Sequence, residues 1–142
     1  LVRARLRTLN NKRIALLGLS FKPGTDDLRE APSLRIIGRL LREGAKVVAY
    51  DPVTMENARR FLGDRIVYAD SARSCLERAD LAIVVTEWDE FRKLEPSDFQ
   101  HFMRHPIVID ARRMYDPETY SSRLRYSAIG LGKPTMKRDL SL

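Results

Sequence analysis

Four short runs of nearly unbroken apolar residues constrain this chain most: residues 13–19 (RIALLGL), 46–50 (KVVAY), 81–85 (LAIVV) and 106–109 (PIVI). A strand with one face in water alternates apolar and polar side chains. These runs do not, so as strands they must be buried on both faces. Between them lie segments with helical spacing. Residues 33–43 (SLRIIGRLLRE) place Leu34, Ile37, Leu40 and Leu41 on one face, and residues 54–62 and 71–78 follow. Doubly buried strands separated by helices predict a doubly wound α/β fold, a mainly parallel Rossmann-like sheet of about five to six strands with helices on both faces. Weaker strands are expected at residues 65–68 and 126–129. Pro32-Ser33 opens the first of these helices and Gly44 closes it, while Ser71 and Asp116-Pro117 open later ones.

The 142 residues suffice for one core. Residues 13–132 are expected to form the domain, with residues 1–12 the end of a connecting helix from a preceding region and residues 133–142 a tail. No apolar run approaches the roughly 20 residues of a membrane helix. Residues 1–10 (LVRARLRTLN) lack the apolar core and cleavage site of a signal peptide. A cytoplasmic location without a membrane partner is the expectation. Cys75 is the single cysteine, so an intrachain disulfide or cysteine-cluster metal site is ruled out, and within residues 71–79 (SARSCLERA) it reads as a buried helix residue. The net charge of +7 fits either a nucleic-acid surface or a site for an anionic ligand. Basic residues are scattered, with short pairs such as Arg59-Arg60 and Arg112-Arg113 and no nucleic-acid motif. A solvated basic surface, with no nucleic-acid partner, is expected.

In an open parallel sheet, ligands bind beyond the carboxyl ends of the strands where the strand order reverses. That rule selects the loop after Leu19, the Asp51-Pro52 turn and residues 110–115 (DARRMY). A dinucleotide-binding turn needs G-x-G-x-x-G. Gly18 stands without that spacing, and Asp51 reads mainly as a turn former. The loop of residues 20–32 is longer than a usual strand-to-helix connection. Lys22 suits a phosphate or sugar hydroxyl, and Phe21 can pack on a ring. Asp26, Asp27, Arg29 and Glu30 either contact ligands or stiffen the loop by pairing with one another. At least one of Arg112 and Arg113 is expected at the ligand edge, the other facing solvent or an acid. In residues 86–91 (TEWDEF), Trp88 and Phe91 read as packing residues and Glu87 as a group that shapes the site. His101 and His105 lack a third metal ligand. With no P-loop and no nucleophile paired to a base, the domain is expected to bind without catalysing.

Residues 18–33 (GLSFKPGTDDLREAPS), 44–52 (GAKVVAYDP), 79–91 (ADLAIVVTEWDEF) and 109–117 (IDARRMYDP) together resemble the carboxyl-terminal, UDP-binding domain of UDP-glucose 6-dehydrogenases. The resemblance spans about residues 13–132 and keeps the family order. It implies an enzyme that oxidises UDP-glucose to UDP-glucuronate in two steps with two NAD⁺, built as a homodimer from further domains. It implies that Phe21, Lys22 and Arg112 contact the UDP-sugar and that Arg29 reaches across a cleft to NAD. The family's catalytic cysteine and main NAD-binding domain have no counterpart here, so no residue of this chain is expected to be catalytic and the isolated chain is expected to be inactive. Residues 111–113 (ARR) replace the Gly-Arg-Asn of many relatives, a methyl group where glycine is usual. Dehydrogenases of UDP-N-acetylmannosamine or GDP-mannose are the alternatives within the superfamily, and a stand-alone basic module binding nucleotides or nucleic acid is the alternative outside it.

Overall fold

The apolar runs form the middle of one six-stranded sheet in a computed structural model that describes residues 2–20, 28 and 31–129. The strands are β1 (Arg13–Leu17), β2 (Lys46–Tyr50), β3 (Val67–Tyr68), β4 (Leu81–Val84), β5 (Ile107–Asp110) and β6 (Arg125–Ala128). Their order is β3-β2-β1-β4-β5-β6, and every neighbouring pair is parallel. The sheet is thus entirely parallel. Its order reverses between β1 and β4, where Ile14 pairs with Leu81 and Leu17 with Val84.

Successive residues of each central strand serve opposite cores. Ile14 and Leu16 join Val47, Ile83 and Ile109 on one face, beneath α2 (Pro32–Arg42) and α3 (Met55–Leu62). Ala15 and Leu17 join Val48, Val84 and Val108 on the other, beneath α4 (Ala72–Leu76), α5 (Asp89–Arg92), α6 (Pro96–Phe102) and α7 (Pro117–Ser121). The buried line of α2 runs through Ser33, Ile37 and Leu40, whereas Leu34 and Leu41 sit partly buried beside it. A short α1 (Val2–Arg5) lies on the α2 face, where Val2, Leu6 and Leu9 join the core. Buried Arg5 reaches the far edge of the sheet, donating to the Tyr126 carbonyl at 3.1 Å and to the Ser127 hydroxyl.

Several boundaries differ from expectation for local reasons. The third strand begins only at Val67, because residues 63–65 close a 3₁₀ turn that Arg65 ties to the Leu62 and Phe61 carbonyls. The helix through Cys75 stops at Leu76. Its start is secured by reciprocal bonds between Ser71 and Ser74, and its end by Arg78, at φ 59°, whose N–H turns to the Phe102 carbonyl. Helix α5, which begins within TEWDEF and ends at Arg92, is too short to show periodicity. Residues 130–142, including the expected tail, lie outside the described residues. Among the described residues no helix is long and apolar enough to cross a membrane.

Gly18 ends β1 with φ 100°, and a Cβ there would collide with the side chain and amide of Thr86. Its N–H donates to the Tyr50 carbonyl at 2.8 Å. This close approach lets the ends of β1 and β4 meet at the reversal. Gly18→Ala adds positive-φ strain to a steric conflict and is expected to lower stability by about 2–4 kcal/mol in urea denaturation. A loss within about 0.5 kcal/mol, the range of neutral surface changes, would contradict that packing.

Candidate functional site

The strand order places the candidate crevice at the carboxyl ends of β1 and β4, flanked by those of β2 and β5. Asp51, directly after β2, is fully buried there. Its Oδ1 accepts from the amides of Val53 (2.9 Å) and Thr54 (3.0 Å), which is the turn expected before α3. The sequence did not reveal the second oxygen's role. Oδ2 accepts from the Leu19 amide (2.8 Å), the Ser20 amide and hydroxyl (both 3.2 Å) and the Trp88 indole N–H (3.1 Å). One carboxylate therefore ties together the segments after β1, β2 and β4. Burial opposes its charge and is the largest single influence, but the amides of Leu19, Val53, Ser20 and Thr54 together outweigh it and hold the pKa below the ordinary 3.8.

Both ends of the long first loop are fixed. At its start, the Ser20 carbonyl accepts from the Thr86 hydroxyl at 2.8 Å, and the Leu19 carbonyl accepts from the Ser33 hydroxyl at 2.5 Å. Near its end, Leu28 is buried and its carbonyl accepts from Ala31, the residue before α2. Phe21, Lys22 and Arg29 lie outside the described residues, as do Asp26, Asp27 and Glu30.

A second buried carboxylate organises the segment after β5. Asp110 accepts from the amides of Arg112 (3.1 Å), Met114 (2.8 Å) and Tyr115 (3.0 Å), and from the Tyr126 hydroxyl (2.7 Å). Tyr126 is held strongly protonated, first by burial and then by its bond to Asp110. The wrapped segment carries Arg112 back toward β4, where its Nη2 donates to Glu87 Oε1 at 2.9 Å. Arg92 Nη2 donates to the other oxygen of Glu87 at 3.1 Å. Arg112 is thus drawn toward the segment after β4 through an acid, Glu87. Ala111 keeps an ordinary backbone conformation, and the left-handed position in this segment is Arg113, at φ 55°.

Phe91 is fully buried and meets Tyr50 edge to face, with ring centroids 6.1 Å apart. Trp88 is half-buried and anchored by Asp51, so both aromatics act in packing. Cys75 is sealed under β1 and β2, its thiol donating to the Leu16 and Val48 carbonyls, and burial pushes its pKa up to about 12. His101 packs edge-on against Phe102, and His105 Nε2 lies 4.0 Å from an Asp80 oxygen at the opposite end of the sheet from the crevice. They do not converge on the crevice.

The described residues do not fit a dinucleotide pyrophosphate. A Rossmann turn offers it the amides after the first strand. Here the amides of Gly18, Leu19 and Ser20 are bonded to Tyr50 and Asp51, and Asp51, where a ribose-binding acid would project, is turned inward to receive them.

The model of the UDP-glucose/GDP-mannose dehydrogenase family, UDP binding domain, matches residues 15–117. The chain is 53% identical over 106 residues to the UDP-glucose 6-dehydrogenase AglM of Haloferax volcanii, covering 75% of this chain and 24% of that protein. It is 39% identical over 124 residues to the UDP-glucose 6-dehydrogenase of Rickettsia conorii, covering 86% of this chain and 29% of that protein. Among solved structures, a UDP-glucose dehydrogenase from the hyperthermophilic archaeon Pyrobaculum islandicum superposes with a TM-score of 0.74 at 31% identity, over 88% of this chain and 27% of that one. The chain thus spans about a quarter of the length of the curated relatives it matches.

Because folding lowers the Asp51 pKa, the unfolded chain takes up that proton first as pH falls. The stabilisation is complete above the ordinary carboxyl value and is lost as pH drops through the folded one. Asp51→Asn is therefore expected to cost about 1.5–3 kcal/mol at pH 7, with the gap to the parent narrowing below pH 4 in urea denaturation. A gap independent of pH would show that the charge contributes nothing. Cys75 is expected to resist alkylation in the native chain at pH 8 and to react once the chain is unfolded; rapid modification of folded chain would contradict its burial.

Proposed function

The chain belongs to the UDP-glucose/GDP-mannose dehydrogenase family, and from that premise we propose that it is the UDP-sugar-binding domain of an NAD-dependent UDP-glucose 6-dehydrogenase that oxidises UDP-glucose to UDP-glucuronate in two steps. The observation that carries this reading is the match of residues 15–117 to the family's UDP binding domain. The 53% and 39% identities to proteins named UDP-glucose 6-dehydrogenase favour UDP-glucose over UDP-N-acetylmannosamine or GDP-mannose. We take residues 13–132 as the binding domain. In the whole enzyme, a cytoplasmic homodimer, other domains supply the catalytic cysteine and most of the NAD site.

Within this division of labour the chain's task is binding. Arg112 and Lys22 supply cationic donors to the diphosphate, and Phe21 packs against a ring of the ligand. Arg29, in the same loop, is the residue assigned to NAD. Two anionic ligands meeting at one loop account for its density of charge. The inward-turned Asp51 and the occupied amides after β1 agree with a dinucleotide held elsewhere. The buried Cys75 agrees with a catalytic thiol that lies outside this chain. The residues here hold and orient the sugar nucleotide and form no covalent bond to it.

A chemical-shift titration of the chain with UDP, GDP and a short DNA duplex tests the assignment. UDP-selective shifts at Phe21, Lys22 and Arg112 are the expected result, and Lys22→Ala or Arg112→Ala should each weaken UDP by about 1.5–3 kcal/mol without unfolding the chain. A larger response to DNA, strongly dependent on salt, would replace this reading with a basic nucleic-acid-binding surface. For Arg29→Ala in the full-length enzyme, the larger loss should fall on NAD⁺, and the reverse order would place the loop the other way round.

A further inference from the structure

Glu87 stands at the crevice between two fixed neighbours. Thr86 before it donates to the Ser20 carbonyl, and Trp88 after it donates to Asp51. The backbone carrying Glu87 is therefore tied to the segments after both β1 and β2. Its carboxylate is divided between two cations, with Oε1 toward Arg112 at 2.9 Å and Oε2 toward Arg92 at 3.1 Å. Arg92 also lies 3.9 Å from the highly exposed Asp89 carboxylate.

From this arrangement we infer that Glu87 is a positioning residue, which fixes the Arg112 guanidinium at the crevice before the phosphate groups of a ligand arrive. The inference rests on the assignment of Arg112 to the UDP-sugar. A guanidinium carries five N–H donors in a rigid fork, and the Glu87 contact uses one of them. The pair can thus persist while other donors turn to a diphosphate. Arginine is otherwise a long side chain with many rotamers, and the side chain of Arg112 is 34% exposed. Without Glu87 its ordering would fall to the binding step and weaken the complex. Arg92 has the complementary part: by holding the second oxygen it keeps Glu87 oriented and draws off some of the negative charge that would otherwise oppose an incoming phosphate.

The test compares UDP affinity and the side-chain ¹⁵N signals of Arg112 in the parent chain and in Glu87→Ala, Glu87→Gln and Arg112→Ala. A slowly rotating Arg112 guanidinium should be seen in the ligand-free parent and be mobilised in Glu87→Ala. UDP affinity should fall about three- to tenfold in that variant, the cost of ordering one long side chain. Glu87→Gln retains an oxygen acceptor and should recover most of the loss. A purely architectural role would instead lower the thermal midpoint and spread shift changes through the sheet. If Arg112→Ala weakens UDP while Glu87→Ala does not, the positioning inference is overturned and the domain assignment stands. If Arg112→Ala leaves UDP binding intact, the assignment of Arg112 to the ligand fails and this inference fails with it.

Discussion

A carboxylate removed from water must receive hydrogen bonds from the protein or give up its charge, and Asp51 imposes that demand where three connections of the sheet come together. Its donors are the backbone that follows β1, the turn that follows β2 and the indole that follows β4. Satisfying one buried charge thus sets the path of the chain around the crevice. The close contact of Gly18 with Thr86 follows the same logic, since the two strand ends are drawn together until only a hydrogen fits between them.

Asp110 repeats the device on the other side of the reversal, with a different product. Asp51 receives donors from separate segments and so closes the sheet's upper rim, whereas most of Asp110's donors are the next few amides of its own segment. The first arrangement joins elements, and the second shapes one loop and delivers Arg112. Between them lies Glu87, linked to Asp51 through its neighbour Trp88 and to the Asp110 segment through Arg112. Charge at the crevice is thereby ordered by acids that mostly serve the protein's own donors.

The fold was legible in the sequence because its signal is local. The runs RIALLGL, KVVAY, LAIVV and PIVI each announce a strand buried on both sides, and Ser71, Gly44 and Asp116 mark helix ends through chemistry within a few residues. A boundary was lost where a short segment yields to its surroundings, as in β3, shortened by the Arg65 turn, and the single-turn α5, which begins within TEWDEF, left no pattern to read. The site was legible in residue type but not in partnership. Asp51 was visible as a turn former, yet its bonds to Ser20 and Trp88 span 31 and 37 residues and have no signature along the chain. Arg112 was expected at the edge, but its pairing with Glu87, 25 residues away, emerges only once β4 and β5 lie side by side. At residues 111–113 the substitution of Ala for Gly drew attention, while the unusual conformation belongs to Arg113.

The reversal in strand order also has a meaning for assembly. Strands β1 to β3 come from the first half of the chain and β4 to β6 from the second, and among the described strands the two half-sheets pair through the β1–β4 seam. That seam is bridged at its rim by Thr86 to Ser20 and by Trp88 to Asp51, contacts between residues far apart along the chain. Such distant pairings carry a larger loop-closure cost than local ones. The crevice is therefore a product of docking and exists in neither half alone. Because the crevice draws on both half-sheets, its geometry is complete only when the whole sheet has formed.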